Sequence, residues 1–194
     1  YFDFIYGSEL YIFLDTELDF SKISGAQLNY FINVINEKAQ LSSIENIFIF
    51  SHKLIWATNN PKYEIVFQHL NNNKDYKIDN TFDEIILPLL KKISKEKKVF
   101  WVSGDIGCSW SLPAFYDEDY ISGITYIATG IGDSKDDLII KVNISNANIG
   151  FSPISLGENI KSINQYNLQY WKNYFNENDK IHESRYFYSF LIKI

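Results

Sequence analysis

Cysteine is almost absent from this 194-residue chain: Cys108 stands alone, which excludes an intrachain disulfide and any cysteine-based zinc cluster. Compartment is left open, because a secreted protein can also lack disulfides. Methionine is missing altogether, and the chain opens Tyr1-Phe2-Asp3-Phe4 with neither a basic n-region nor a small-residue cleavage site. The expectation is a piece of a longer polypeptide rather than a complete primary translation product. No apolar run approaches the ~18 residues of a membrane span. Basic residues are outnumbered, 18 Lys and Arg against 24 Asp and Glu for a net charge of −6. That balance argues against a nucleic-acid backbone as the main partner, since phosphate neutralisation needs clustered cations, and it stays compatible with divalent metal ions. Gly-x-Ser-x-Gly, His-Glu-x-x-His and Rossmann fingerprints are missing too.

What is present is apolar and aromatic residue, 46% and 17% of the chain, enough for one folded domain over 1–194 with a sizeable core. Phe2–Tyr6 and Leu10–Leu14, joined by Gly7-Ser8, read as a β-hairpin. Ser24 opens a helix running to Ala39, with Leu28, Phe31, Ile32 and Ile35 at helical spacing and Gln27 placed for a capping box. Ile47–Phe50 and Val99–Val102 are short continuous apolar runs without alternation, the pattern of parallel strands buried on both faces. Between them, Tyr63–Leu70 is of open type. A helix from Asn80 or Thr81 carries Phe82, Ile85, Ile86, Leu89, Leu90 and Ile93, is interrupted by Pro88, and ends in a lysine cluster that offsets the helix dipole.

Gly123–Ala128 and Leu138–Ile144 are further strands, 150–157 a connection, Asn164–Phe175 a helix and Tyr186–Ile194 a final strand, so that 151–194 forms a helix-and-strand extension. Helices and strands alternate early and strands dominate later. The predicted fold is α/β, a layered sandwich with a mixed β-sheet.

His52 leaves the first buried strand at its carboxyl end, where open α/β sheets collect ligands. Its imidazole suits a transition metal or acid–base work; a histidine merely hydrogen-bonded at a strand end is the plain alternative. Asp105, between Gly104 and Gly107 after the second buried strand, offers a hard oxygen ligand where glycines allow close approach. Its plain alternative is a turn aspartate. Asp15 and Glu17 at a strand end could form a carboxylate pair, with turn hydrogen bonds the plainer use, and 130–137 fits a polar loop lacking P-loop or EF-hand spacing. His69 and His182 read as surface or turn residues, and the four tryptophans serve either core or cleft walls.

The order of these elements resembles the C-terminal part of a calcineurin-like metallophosphoesterase. The likeness runs from Tyr6-Gly7 through Leu14-Asp15-Thr16-Glu17, Gln27-Leu28 and Ile49-Phe50-Ser51-His52-Lys53 to Val102-Ser103-Gly104-Asp105-Ile106-Gly107, and more loosely into 125–144. It covers about the first three quarters of the chain. The resemblance implies two mixed sheets flanked by helices, with the N-terminal strands missing here, and a dinuclear Mn, Fe or Zn centre acting on a phosphoester. His52 matches the lone metal-ligating histidine after the third-motif strand. Where the family has Gly-His-x-His, Asp105 replaces the first histidine and Gly107 removes the second. The family's Asp-x-His and Gly-Asn-His-Asp/Glu motifs are absent, and Gly132-Asp133-Ser134-Lys135-Asp136, though it spells Gly-Asp-x-x-Asp, follows the Gly104–Gly107 turn where the family's motif precedes the hairpin.

Metal sites are therefore expected at His52 and Asp105 only, too few ligands for a firm catalytic metal, and the chain by itself is expected to be inactive. Three functions stay open: the C-terminal portion of a metal-dependent phosphoesterase, a non-catalytic binding or structural module on a degenerate phosphoesterase scaffold, or an unrelated α/β domain binding sugar or protein through its aromatics. Exposed sheet edges would favour association with a missing half or another copy.

Overall fold

A computed structural model describes residues 1–70, 73–77, 79–106, 112–131, 137–145, 148–157 and 161–176. The final predicted strand (186–194), His182, Gly107, Cys108, Trp110 and most of the 130–137 loop lie outside the described residues.

Strands β1 (Phe2–Tyr6) and β2 (Glu9–Phe13) form the expected hairpin, with Gly7 at φ +62 opening its two-residue turn. Helix α1 (Gly25–Glu37) leads to β3 (Asn46–Ser51). After β3 come α2 (Glu64–Gln68), a π-turn at Phe82–Ile86, α3 (Leu87–Ile93) and β4 (Lys98–Ser103). Strands β5 (Ala114–Asp119) and β6 (Ile124–Thr129) form a second antiparallel pair, and β7 (Leu138–Ser145) and β8 (Asn148–Ser155) a separate two-stranded sheet. Residues 168–176 form α4. The main sheet has the order β1-β2-β3-β4-β6-β5, with β2, β3, β4 and β6 parallel and both edge strands antiparallel. This is an α/β sandwich on a mixed sheet, as predicted, but among the described residues the second sheet is a two-stranded antiparallel hairpin and not the second mixed sheet that the resemblance implies. Among the described residues no helix is long and apolar enough to cross a membrane.

Strand alternation sorts the two faces of the sheet. On one, Leu10, Ile12, Ile47, Ile49, Val99 and Trp101 meet Phe31 and Ile35 of α1, Ile86 of the π-turn and Leu90 of α3 in the main core. Trp171 of α4 closes it, packed 5.8 Å from Phe115 with its indole N–H donated to Ala114 O at 3.1 Å. The opposite face carries rows of aromatic rings. Phe2, Phe13 and Phe50 stack at 4.6 and 4.7 Å, and Phe4, Tyr11, Phe48 and Phe100 at 4.9, 5.3 and 4.9 Å. The β7–β8 hairpin covers the β4–β6 half of this face, with Ile140, Ile149 and Phe151 on Phe48, Phe100 and Ile127. At the β1 edge, Phe2 and Tyr6 stay 55% and 76% exposed.

Several local readings change. Ser24 makes no cap bond; its hydroxyl donates to Asp19 instead. Gln27 is buried and clamps the backbone of Asp15, accepting from its N–H at 2.7 Å and donating to its C=O at 2.9 Å. A local capping residue is thus recruited to pin the exit of β2. Pro88 follows directly on the π-turn inside one helical run from 81 to 93, and the wider pairing there, Leu87 N–H to Phe82 O, absorbs the interruption that its missing N–H makes. Residues 150–157, expected to connect, belong mostly to β8, which tolerates Pro153 because the hairpin is all edge. Strand β5, rich in acidic residues, was not expected.

Asp119 ends β5 and organises the turn into β6. It accepts from Ser122 N–H at 3.2 Å and pairs with Lys62 Nζ at 3.0 Å, and Gly123 at φ +71 lies where a Cβ would come within 2.6 Å of Ser94 Oγ. Burial pushes the Asp119 carboxyl up, but the Ser122 hydrogen bond and the Lys62 ammonium outweigh it and hold it below the ordinary carboxylate value. A depressed folded-state value means stability that is present above the ordinary carboxylate range and is lost as pH falls through the lowered value. In urea unfolding at several pH values, Asp119→Asn should flatten that acid limb. Gln27→Ala should lower stability by ~1–3 kcal/mol at neutral pH, because two Asp15 backbone groups lose their partner; unchanged unfolding midpoints would contradict the clamp.

Candidate functional site

The four parallel strands all deliver their carboxyl ends to one edge of the sheet, the edge at which such sheets bind ligands. Leu14 N–H reaches Phe50 O at 2.8 Å, which ties the exit of β2 to that of β3. Strand β3 ends at Ser51 and continues into His52-Lys53, and β4 ends at Ser103 and continues into Gly104-Asp105. The His52 carbonyl accepts from both Gly104 N–H (3.0 Å) and Asp105 N–H (2.8 Å), so the two turns form one unit. Beneath them, Trp101 Nε1 donates to Ser51 Oγ at 2.8 Å and Trp56 Nε1 to Ser103 Oγ at 3.2 Å; Ser51 Oγ in turn donates to Lys53 O at 2.9 Å. Lys53 N–H is taken by Thr16 Oγ1 at 3.0 Å.

On this floor stand the two residues singled out from the sequence. His52 Nε2 lies 3.9 Å from Asp105 Oδ1, with the imidazole 57% exposed and the carboxylate only 9%. The imidazole passes over Gly104, where a Cβ would stand 3.5 Å from Nδ1. Tyr76 fixes the far side of Asp105. Its hydroxyl donates to Oδ2 at 3.3 Å and accepts from Leu54 N–H at 3.1 Å. Burial is the largest influence on Asp105 and pushes its carboxyl above the ordinary value, against the opposing pull of His52, Lys53 and the Tyr76 hydrogen bond. Burial likewise drives the Tyr76 phenol upward, so it stays a donor. Lys53 is buried, with Nζ 3.7 Å from Glu17 Oε1 and 5.0 Å from the Tyr76 ring centre.

Tyr76 and Lys53 are the residues that sequence reasoning missed. Tyr76 follows the polar 71–75 loop, and no local pattern places it beneath a residue 29 positions away. Asp15 behaves as predicted, its Oδ1 accepting from Glu17 N–H at 2.9 Å, while Glu17 serves as the partner of Lys53. His69 is structural, bonded through Nδ1 to Ile65 O and stacked on Phe175. Trp56, Trp101 and Trp171 belong to the core.

At 3.9 Å the imidazole nitrogen and the carboxylate oxygen are too far apart for a direct hydrogen bond and interact as a loose ion pair when the imidazole is protonated. Two bonds of ~2.1 Å at the tetrahedral angle set their donors ~3.4 Å apart, so this pair, 3.9 Å apart, would have to close by ~0.5 Å to share an ion. Among the described residues no group of three His, Cys, Asp or Glu side chains could hold a metal.

Comparison with protein-family models, with curated proteins and with solved structures finds no match to this chain.

A carboxyl titration followed by NMR should place Asp105 above the ordinary aspartate value. Tyr76→Phe should raise it further, by removing the one hydrogen bond that favours the ionised form, and should cost ~1–3 kcal/mol of stability as Leu54 N–H loses its acceptor. An Asp105 titration unmoved by Tyr76→Phe would break the pairing.

Proposed function

We propose that the chain is the C-terminal portion of a metal-dependent phosphoesterase and that His52 and Asp105 are its contribution to one divalent ion, Mn, Fe or Zn, of a dinuclear centre in the intact protein. The supporting observation is their meeting at the exits of adjacent parallel strands, 3.9 Å apart on a backbone locked by the His52 carbonyl. A divalent ion there would polarise a phosphoryl oxygen and acidify a bound water. The chain's own residues supply orientation: Tyr76 holds Asp105 from behind, as outer-shell partners of metal ligands do, and Gly104 leaves room for the imidazole. The remaining ligands would come from outside the described residues. Association along the exposed β1 edge is part of the same proposal.

A second reading, the non-catalytic module on a degenerate phosphoesterase scaffold, draws on the turn sequence. Asp105 keeps an oxygen ligand where the family has histidine, whereas Gly107 offers none.

Titration with Mn²⁺, read by electron paramagnetic resonance, separates the two. The expected result is one weakly held ion, with His52→Ala and Asp105→Asn each weakening it about tenfold, or ~1.4 kcal/mol, and no turnover of a chromogenic phosphodiester by this chain alone. Absence of any His52-dependent ion would overturn the metal reading and leave the degenerate module. Metal-dependent hydrolysis that disappears in His52→Ala would overturn the inactivity.

A further inference from the structure

The amino ends of β3, β4 and β6 border a cavity of about 810 Å³, at the opposite edge of the sheet from His52. Its back wall is aromatic. Phe100 of β4, Tyr116 of β5 and Phe151 of β8 line it, with the Phe151 ring 5.3 Å from that of Phe100 and 6.2 Å from that of Tyr116. The rim is polar and carries both signs of charge, Glu45, Glu96 and Glu118 against Lys97 and Lys98. The volume is that of a small-molecule site.

Sheet register orders the polar groups against the wall. Thr125 is the direct cross-strand partner of both Phe100 and Glu118, so a ring, a hydroxyl and a carboxylate stand in one row on one face. Glu118 is exposed yet oriented: Tyr116 donates its hydroxyl to Oε1 at 2.6 Å, and Tyr120 donates to Oε2 at 3.4 Å. Burial and the adjacent Glu118 carboxylate push the Tyr116 phenol upward, so it stays a donor. Lys97 braces the loop that enters β3, giving its ammonium protons to Leu41 O at 2.7 Å and Ile44 O at 2.6 Å.

This lining selects among classes of ligand. An anion would meet three carboxylates, and a hydrocarbon would strip water from a charged rim without replacing it. An alkylammonium needs several open ring faces, whereas here Phe151 already lies against both other rings. A pyranose answers both parts of the lining. Its C–H face covers aromatic surface, and each hydroxyl can donate to a carboxylate and accept from a hydroxyl or an ammonium.

We propose that this cavity is a saccharide-binding site, separate from the site at His52, in which a pyranose ring packs on Tyr116 and Phe151 and its hydroxyls bond to Glu118 and Thr125.

Titration of the ¹⁵N-labelled 194-residue chain with methyl β-glucopyranoside, maltotriose, cellotriose and chitotriose, read by amide chemical shifts, tests this. No metal is added, so the result is independent of ion binding at His52. At least one trisaccharide should bind with a Kd on the order of 1 mM or tighter, with shifts centred on Phe100, Tyr116, Glu118, Thr125 and Phe151. Glu118→Gln lies on the exposed rim and does not endanger folding; it should weaken that binding about fivefold by exchanging charge-assisted hydrogen bonds for neutral ones. Phe151→Leu keeps apolar contact but removes the ring, and should weaken it about threefold. The absence of a saturable shift with any of the four sugars would overturn the proposal, as would affinities unmoved by both variants. Tighter binding of tetramethylammonium or inorganic phosphate at the same resonances would overturn it too.

Discussion

Two indoles, Trp56 and Trp101, are almost fully buried, and an indole N–H left without an acceptor inside a core costs about 1–3 kcal/mol. Their acceptors are the hydroxyls of Ser51 and Ser103, the last residues of β3 and β4. The two strands must therefore end in register, with both serines turned inward, and the residues that follow are delivered side by side. The positions of His52, Lys53, Gly104 and Asp105 are consequences of that requirement. Packing in the core and polar geometry at the edge are one constraint.

The two faces of the sheet meet different needs. One is sealed by α1, α3 and α4 around aliphatic residues and tryptophan, and its buried polar groups find partners. The other is paved with phenylalanine and tyrosine and is covered only where β7 and β8 lie upon it. Beside His52, a hollow lined by Phe13, Phe50 and Gly104 stays open where that cover is missing. The ring of Phe50 belongs at once to the aromatic row that crosses the sheet and to the wall of that hollow.

Much of this was legible in the sequence wherever burial acts through periodicity. The unbroken apolar runs before Ser51 and Ser103 identified two central parallel strands, and the position of His52 and Asp105 just past them followed from chain direction alone. The first hairpin was signalled by Gly7-Ser8 between apolar runs. What stayed hidden depends on distant partners. Gln27 has the spacing of a capping residue but is drawn to Asp15, because a buried strand exit offers it two unpaired backbone groups. Tyr76 emerges from a polar loop, and only the tertiary fold sets its hydroxyl between Leu54 and Asp105. Strands β5 and β8 are edge or hairpin strands, free to carry acidic residues, glycine and proline that mask the strand signal.

The turn after β4 is fastened by main-chain atoms: two amides converge on the carbonyl of His52, and neither bond involves a side chain. Loop shape and side-chain chemistry are thereby uncoupled. A substitution at 52 or 105 can exchange one donor for another, or abolish a donor, while the scaffold keeps its form. Such a site can drift in lineage from one chemistry to another, or to none, without passing through an unfolded ancestor.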